Sequence, residues 1–471
     1  MIPLAACIYV LSLSVERERE RVSGREREMA RAEEKLEIRL EGLKRPDYAN
    51  SEALLVEELK SPEAKLGITV EELWRVQEPL LTPSEKLNSC FENIPVSSFP
   101  PSSLSQIIEI NSHASLAEAV EILSKHKILS APVRNVEAEE GAGWMDQYIG
   151  IVEFAGISVW LLHQSEDAER KADGSTVPGL VNGSLVGNAA SSVPRPGKLG
   201  RSDSVASRGA DFFEALTSSD FYKNTKVRDI AGSFRWAPFL ALQSSDSFLT
   251  MLLLLSKYGM KSLPVVDLGE GKIDNVISQS SVVHILAECV RLPWFQNWGT
   301  KKLCELGLPV MKPNDLVKIY EDEPVLLAFN LMREKGIGGL PVVDSTGLKP
   351  LGNISIRDVQ YLLTAPEMYK DFRSITAKNF LTAIRSHLLE HHESSPMLLG
   401  TIACRSSDTL QDVILKLDGE KIQRIYVEDE GGHLEGVITL RDIISKLVVE
   451  PPGYFGDFFD GVVPLPQNSR V

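Results

Sequence analysis

Cysteine is scarce in this sequence: five among 471 residues, Cys7, Cys90, Cys289, Cys304 and Cys404. No two stand at metal-ligand or redox spacing and their number is odd, which speaks against a disulfide framework or a zinc site. Reduced thiols in the cytoplasm or nucleus are expected. An excess of positive charge is also missing. The formal net charge is -15, which argues against nucleic acid and anionic membrane as partners, since both need a basic footprint. An anionic ligand would need a local basic pocket working against the overall field. No apolar run approaches the roughly 20 residues needed to span a bilayer. The stretch from Ile2 to Val15 is apolar but short. It lacks a positively charged start and runs straight into Glu16-Arg17-Glu18-Arg19-Glu20-Arg21, so it makes a poor secretory signal. Alternating Arg and Glu is also what a translated GA-repeat gives. Residues 1–28 are therefore read as lying upstream of an authentic start at Met29.

Catalytic signatures are absent as well. There is no G-x-x-x-x-G-K-[ST]; Gly269-Glu270-Gly271-Lys272 lacks the upstream glycine. Gly141-Ala142-Gly143 lacks the third glycine of a dinucleotide fingerprint. His391-His392-Glu393 lacks H-E-x-x-H spacing, and no metal is expected there. No kinase catalytic loop, nucleophile elbow or Cys-His pair occurs. The chain reads as non-catalytic, with no required cofactor.

What is present is a repeat. Lys257-Tyr258-Gly259-Met260-Lys261-Ser262-Leu263-Pro264-Val265-Val266-Asp267 matches Arg333-Glu334-Lys335-Gly336-Ile337-Gly338-Gly339-Leu340-Pro341-Val342-Val343-Asp344. Each ends a helical pattern, turns at a glycine and enters an apolar strand. Pro264 and Pro341 stand 77 residues apart. Ser124 to Val133 is the same element earlier, and Gly419 to Val427 the same element later, with Tyr426 in place of proline. A second strand and a helix follow each copy, and an amphipathic helix precedes it. The proline is expected at the first position of its strand, where no ladder donor is needed. One unit cannot bury both faces of so small a sheet, so the units must pair.

This pattern resembles the cystathionine-beta-synthase (CBS) repeat, and four copies cover residues 93–450. The resemblance implies a mixed α/β (α+β) fold in which repeats pair sheet to sheet into two modules that form a disk. The chain divides as an N-terminal extension, partly disordered, at 1–92; repeats at 93–164, 221–291, 306–365 and 375–450; a flexible Ser/Gly-rich insertion at 165–220; and a tail at 451–471. Among four-repeat proteins without a catalytic domain, the chain is similar to plant-type gamma subunits of AMP-activated and sucrose-non-fermenting-type kinases.

The chemistry is expected where the second strand meets the last helix. Ser355-Ile356-Arg357-Asp358 and Thr439-Leu440-Arg441-Asp442 are copies, 84 residues apart. A hydroxyl residue with an acid three positions on is a helix capping box, and capping alone explains it. The same geometry suits a nucleotide, because free N–H groups at a helix start attract phosphate and the carboxylate can accept ribose hydroxyls. In the CBS family that Asp binds ribose, which the resemblance carries to Asp358 and Asp442. Repeat two keeps only the hydroxyl, at Ser278, with Ser281 in the acid's place. Repeat one has Glu153 and Gly156 at the two positions. For phosphate, the family's His-Arg pair survives as Gln423-Arg424; Lys261 is a substitute in repeat two, and Gly338-Gly339 offers none in repeat three. Arg357 and Arg441 are the remaining cations. The resemblance thus implies AMP, ADP or ATP as regulatory ligands at repeats three and four, and a kinase catalytic alpha subunit and a beta subunit as partners in energy and carbohydrate signalling. A stand-alone sensor of adenosyl ligands is the other reading. Trp236, Trp294, Phe295 and Trp298 are expected in the core or at an interface.

Overall fold

A computed structural model describes residues 61–101, 107–160, 220–231, 240–361 and 375–456, less eleven single positions inside these ranges (127, 140, 155, 158, 159, 268, 270, 312, 360, 393 and 394). Met1–Ser61 separates from Pro62–Val471 as its own unit, and the fold below is that of the second unit. The suspected spurious start, most of the insertion, Trp236, Val159, Leu161, Leu362, Leu363 and the end of the tail lie outside the described residues.

Among the described residues, twelve strands form four three-stranded sheets in sequence order, β1-β2-β3, β4-β5-β6, β7-β8-β9 and β10-β11-β12. Their ranges are Ile110–Asn111, Ser130–Arg134 and Tyr148–Glu153; Leu242–Gln243, Ser262–Asp267 and Lys272–Ser278; Ile319–Tyr320, Gly339–Val343 and Pro350–Ser355; and Ala403–Cys404, Arg424–Glu428 and Leu434–Thr439. The helices used below are α1 (Pro62–Arg75), α2 (Pro83–Glu92), α3 (Leu116–Lys125), α4 (Phe248–Ser256), α5 (Gln279–Glu288), α6 (Pro293–Gly299), α7 (Val325–Lys335), α8 (Ala377–Glu390), α9 (Leu410–Gly419) and α10 (Leu440–Ser445). In every sheet the short first strand runs parallel to the second and the third runs antiparallel.

The register is common to all four. Pro132 faces Ile151, Pro264 faces Val276, Pro341 faces Asn353 and Tyr426 faces Val437. The proline is not first in its strand, as expected above, but third. It is tolerated there because the parallel neighbour begins pairing only at the next residue, at Val133, Val265 and Val342, so no ladder bond needs the missing N–H. In repeat four Tyr426 restores the donor. Its N–H reaches Ile402 O at 3.2 Å, and the ladder starts one residue earlier, at Ala403 against Tyr426.

Linear order does not delimit the folded repeats. The segment before each repeat crosses to the partner repeat and bridges the start of its first helix. Pro95 bridges Ser247, Lys226 bridges Ser115, Lys302 bridges Thr409 and Thr376 bridges Pro324. The leaders of repeats one and two are thus exchanged, as are those of three and four. Sheets then pair within each module: Tyr148 packs with Val266 and Ile273, and Val343 with Tyr426 and Leu434. Helices join the modules crosswise. One apolar core runs from Ile110 and Leu116 of repeat one to Phe329 and Phe380 beside repeat three, while α5 of repeat two lies against α9 and α10 of repeat four. The contacts close a ring in the order one, two, four, three.

Residues 62–92 of the N-terminal extension form two helices docked on repeat two. Thr82 caps α2 through a box with Glu85. Trp294 at the start of α6 is buried against α1, its Nε1 donating to Gly67 O at 3.1 Å and its backbone N–H to Glu71 Oε2 at 2.8 Å. Gly67 has no room for a side chain, since a Cβ would sit 2.6 Å from both Cys289 Sγ and Leu292 Cδ1. Gly67→Ala is therefore expected to lower stability by roughly 1.5 kcal/mol through overpacking, read as an earlier midpoint in urea unfolding. No helix among the described residues is long and apolar enough to cross a membrane.

Candidate functional site

All four repeats contribute to one cavity of about 840 Å³. Repeat one brings Lys125, Ser130 and Glu153; repeat two Lys261, Ser262 and Ser278; repeat three Asn353, Ser355, Arg357 and Asp358; repeat four Lys421, Gln423, Arg424 and Tyr426. Helix α8, the leader of repeat four docked beside repeat three, adds Arg385 and His387. Six Lys and Arg residues thus face two carboxylates, Glu153 and Asp358, in a chain whose net charge is -15. This is the local basic pocket that an anionic ligand requires.

Several of these polar groups are held by the fold. Asp358 is 5% exposed, and its Oδ2 accepts the Ser355 N–H at 2.7 Å and the Ser355 hydroxyl at 3.0 Å. Burial outweighs those bonds and the charges of Arg357 and Arg424, so its carboxyl titrates above the usual range. Arg424 leans across the module onto Gly339 and donates to its carbonyl. A Cβ at Gly339 would lie 2.8 Å from Arg424 Cζ and 2.9 Å from Ile354 O. Gly339, one of the two glycines that deny repeat three a cation of its own, makes room for the arginine of repeat four. Tyr426, in the proline's place, donates its hydroxyl to Asn353 Oδ1 at 2.5 Å. Lys261 approaches from the other module. Burial pulls its ammonium down, Glu153 opposes that, and the charge of Arg424 adds to it. Two cations from different modules therefore repel each other across the cavity.

A profile of the CBS domain matches residues 308–364 and 399–449. The chain is 61% identical over 415 residues to the SNF1-related protein kinase regulatory subunit gamma-1 of Arabidopsis thaliana, covering 88% of this chain and 96% of that one. It is 38% identical over 436 residues to the gamma-1-like subunit of the same plant, covering 86% of this chain and 97% of that one. The chain belongs to the gamma regulatory subunits of SNF1-related protein kinases. A more distant relative, the 5'-AMP-activated protein kinase subunit gamma-3 of Sus scrofa, is 28% identical over 227 residues, covering 48% of this chain and 40% of that one. Gamma subunits of this kind are regulatory partners of a kinase and carry no catalytic centre themselves.

Of the nine residues singled out in this gamma subunit, six line the cavity: Lys261, Ser278, Ser355, Arg357, Asp358 and Arg424. Thr439, Arg441 and Asp442 do not. Thr439 and Asp442 are buried in their own capping box, with Asp442 Oδ2 accepting the Thr439 N–H and hydroxyl, each at 2.9 Å. Arg441 turns away to the end of α4, where Nε donates to Ser256 O at 2.5 Å and Nη2 to Lys257 O at 3.3 Å. The two copies of the motif thus have different surroundings, set by which neighbour covers them. In repeat two Ser281 completes the cap that an acid supplies elsewhere, its hydroxyl accepting the Ser278 N–H at 2.9 Å. In repeat one Glu153 stands at the register position of Ser278, Ser355 and Thr439. Lys125, Arg385, His387 and Lys421 were not expected in the site. Arg385 and His387 sit on a leader helix outside any recurring motif. Lys421 was visible in the sequence as a lysine where two other repeats have glycine.

Proposed function

We propose that this gamma subunit binds an adenine nucleotide in the cavity and so regulates the kinase assembly to which it belongs. The observation that carries the reading is the convergence of Arg424 and Lys261 on a cavity bordered by Ser355 and Asp358. The two cations repel each other, and an anion between them relieves that repulsion, as phosphate does at clustered basic side chains. Asp358 is rigid, buried and aimed at the same space, so it suits the hydroxyls of a ribose. The apolar lining from Ile128, Val276, Leu381 and Ile422 gives the base a dry surface. AMP, ADP and ATP share all three features.

Nucleotide shifts the assembly only so far as it prefers one of its states. A kinase catalytic alpha subunit and a beta subunit are the proposed partners, with carbohydrate and energy signalling as the setting. The full chain is expected to release heat with AMP in calorimetry, and to co-purify with alpha and beta subunits from tissue extract. No heat with any of the three nucleotides removes the sensor role. Recovery with an unrelated enzyme or transporter and no kinase subunit favours the stand-alone sensor.

A further inference from the structure

Equivalent turns lead from each repeat's first helix into its long strand. In repeats two and three the turn holds a left-handed glycine, Gly259 (φ 66°) and Gly336 (φ 63°). Repeat four places Lys421 there instead, at φ 52°, a conformation that opposes any L side chain. The Lys421 side chain is 70% exposed at the cavity mouth, and its Nζ donates to Asp418 Oδ1 at 2.7 Å. Asp418 also meets His284 Nδ1, at 3.1 Å from each carboxylate oxygen. His284 belongs to α5 of repeat two, and the first residues of that helix, with their cap Ser278, line the same cavity. One carboxylate thus ties a cation at the cavity mouth to the helix contact between the modules. Burial would raise the Asp418 carboxyl, but the bonds from Lys421 and His284 outweigh it and hold it below its usual range.

We propose that Lys421 is an exchangeable cation that leaves Asp418 for the anionic group of a ligand in the cavity, so that Asp418 is left to His284 alone and occupancy is registered between repeats two and four. The inference rests on the nucleotide reading above and adds to it a residue that senses phosphate. Arg424 cannot play this part, because Gly339 holds it in place. Lys421 can, because it is exposed, long and held by a single carboxylate that keeps His284 as a second partner when the lysine leaves. A glycine would be the relaxed choice at that backbone position, and what lysine adds there is a charge.

The test is calorimetry of the full chain with AMP and with adenosine, together with NMR of the His284 imidazole. Lys421→Gly is expected to fold at least as stably as the unaltered chain, to bind AMP about tenfold more weakly and to bind adenosine unchanged. Lys421→Arg is expected to restore AMP binding to within about threefold. Asp418→Asn, which frees the ammonium, is expected to strengthen AMP binding severalfold. The His284 ring signals are expected to move on AMP saturation in the unaltered chain and to stay fixed in Lys421→Gly. Unchanged AMP affinity in Lys421→Gly, or His284 signals that ignore AMP, overturns this proposal alone. No AMP heat with the unaltered chain brings down the nucleotide reading and this one with it.

Discussion

Replacing Asp358 with alanine is expected to weaken AMP binding about 100-fold, by removing charge-assisted hydrogen bonds to the ribose, while Asp442→Ala leaves AMP affinity within about twofold and costs about 1 kcal/mol of capping. The two residues occupy the same place in their repeats, so the contrast isolates what the cavity adds to the motif. Calorimetry reads the first effect and thermal unfolding the second. A companion substitution, Asp358→Asn, separates binding from stability. Burial raises this carboxyl in the folded chain. A carboxyl raised on folding binds its proton more tightly in the native state, so stability falls as pH rises from its unfolded value to its folded one. Above that window the penalty is complete. Asparagine removes it and still offers an oxygen to the Ser355 N–H. Asp358→Asn should therefore melt a few degrees higher near neutral pH, and the gain should vanish below the unfolded carboxyl's pKa of about 4. A variant that melted lower and kept its AMP affinity would show Asp358 to be a cap and nothing more.

Arg424→Ala is the second large effect. It removes the cation that crosses from repeat four to repeat three, and AMP affinity is expected to fall about 100-fold while adenosine is unaffected. Gly339→Ala should reproduce part of the loss, about tenfold, without touching a charge. The added methyl would meet the guanidinium at 2.8 Å and a backbone oxygen at 2.9 Å, so the arginine has to move. The loss for Arg424→Ala should shrink as salt is added, because screening already weakens the interaction that the mutation deletes. Equal losses for AMP and adenosine would mean that Arg424 supports the base or the fold rather than the phosphate.

The repeat was legible because its strands carry a recurring pattern: apolar residues, a proline or its substitute, and in three of the four a hydroxyl residue closing the third strand. Those features are local, and the register of all four sheets follows them. The cavity was half legible. Ser355, Asp358, Arg424, Lys261 and Ser278 stand at repeat positions that recur, so their alignment placed them at one end of each sheet. Arg385 and His387 were out of reach, because nothing in the spacing of α8 indicates that the helix preceding repeat four serves repeat three. The fate of Arg441 was equally hidden. Its motif matches that of Arg357, and only the end of α4, brought in by a different repeat, offers it the carbonyls of Ser256 and Lys257. Trp294, expected in the core or at an interface, is buried where α1 settles against α6, and the identity of that neighbour could not be read from the spacing.

The crossed leaders give the molecule an indivisible pair as its smallest sound part. Severing the chain between repeats three and four would strip the first of α8 and the second of the residues around Lys302, leaving each half with an open apolar flank. Such halves would find relief by trading leaders with one another or with a second molecule. A single added repeat would accordingly arrive carrying a leader with no host in its own chain and a flank with no cover.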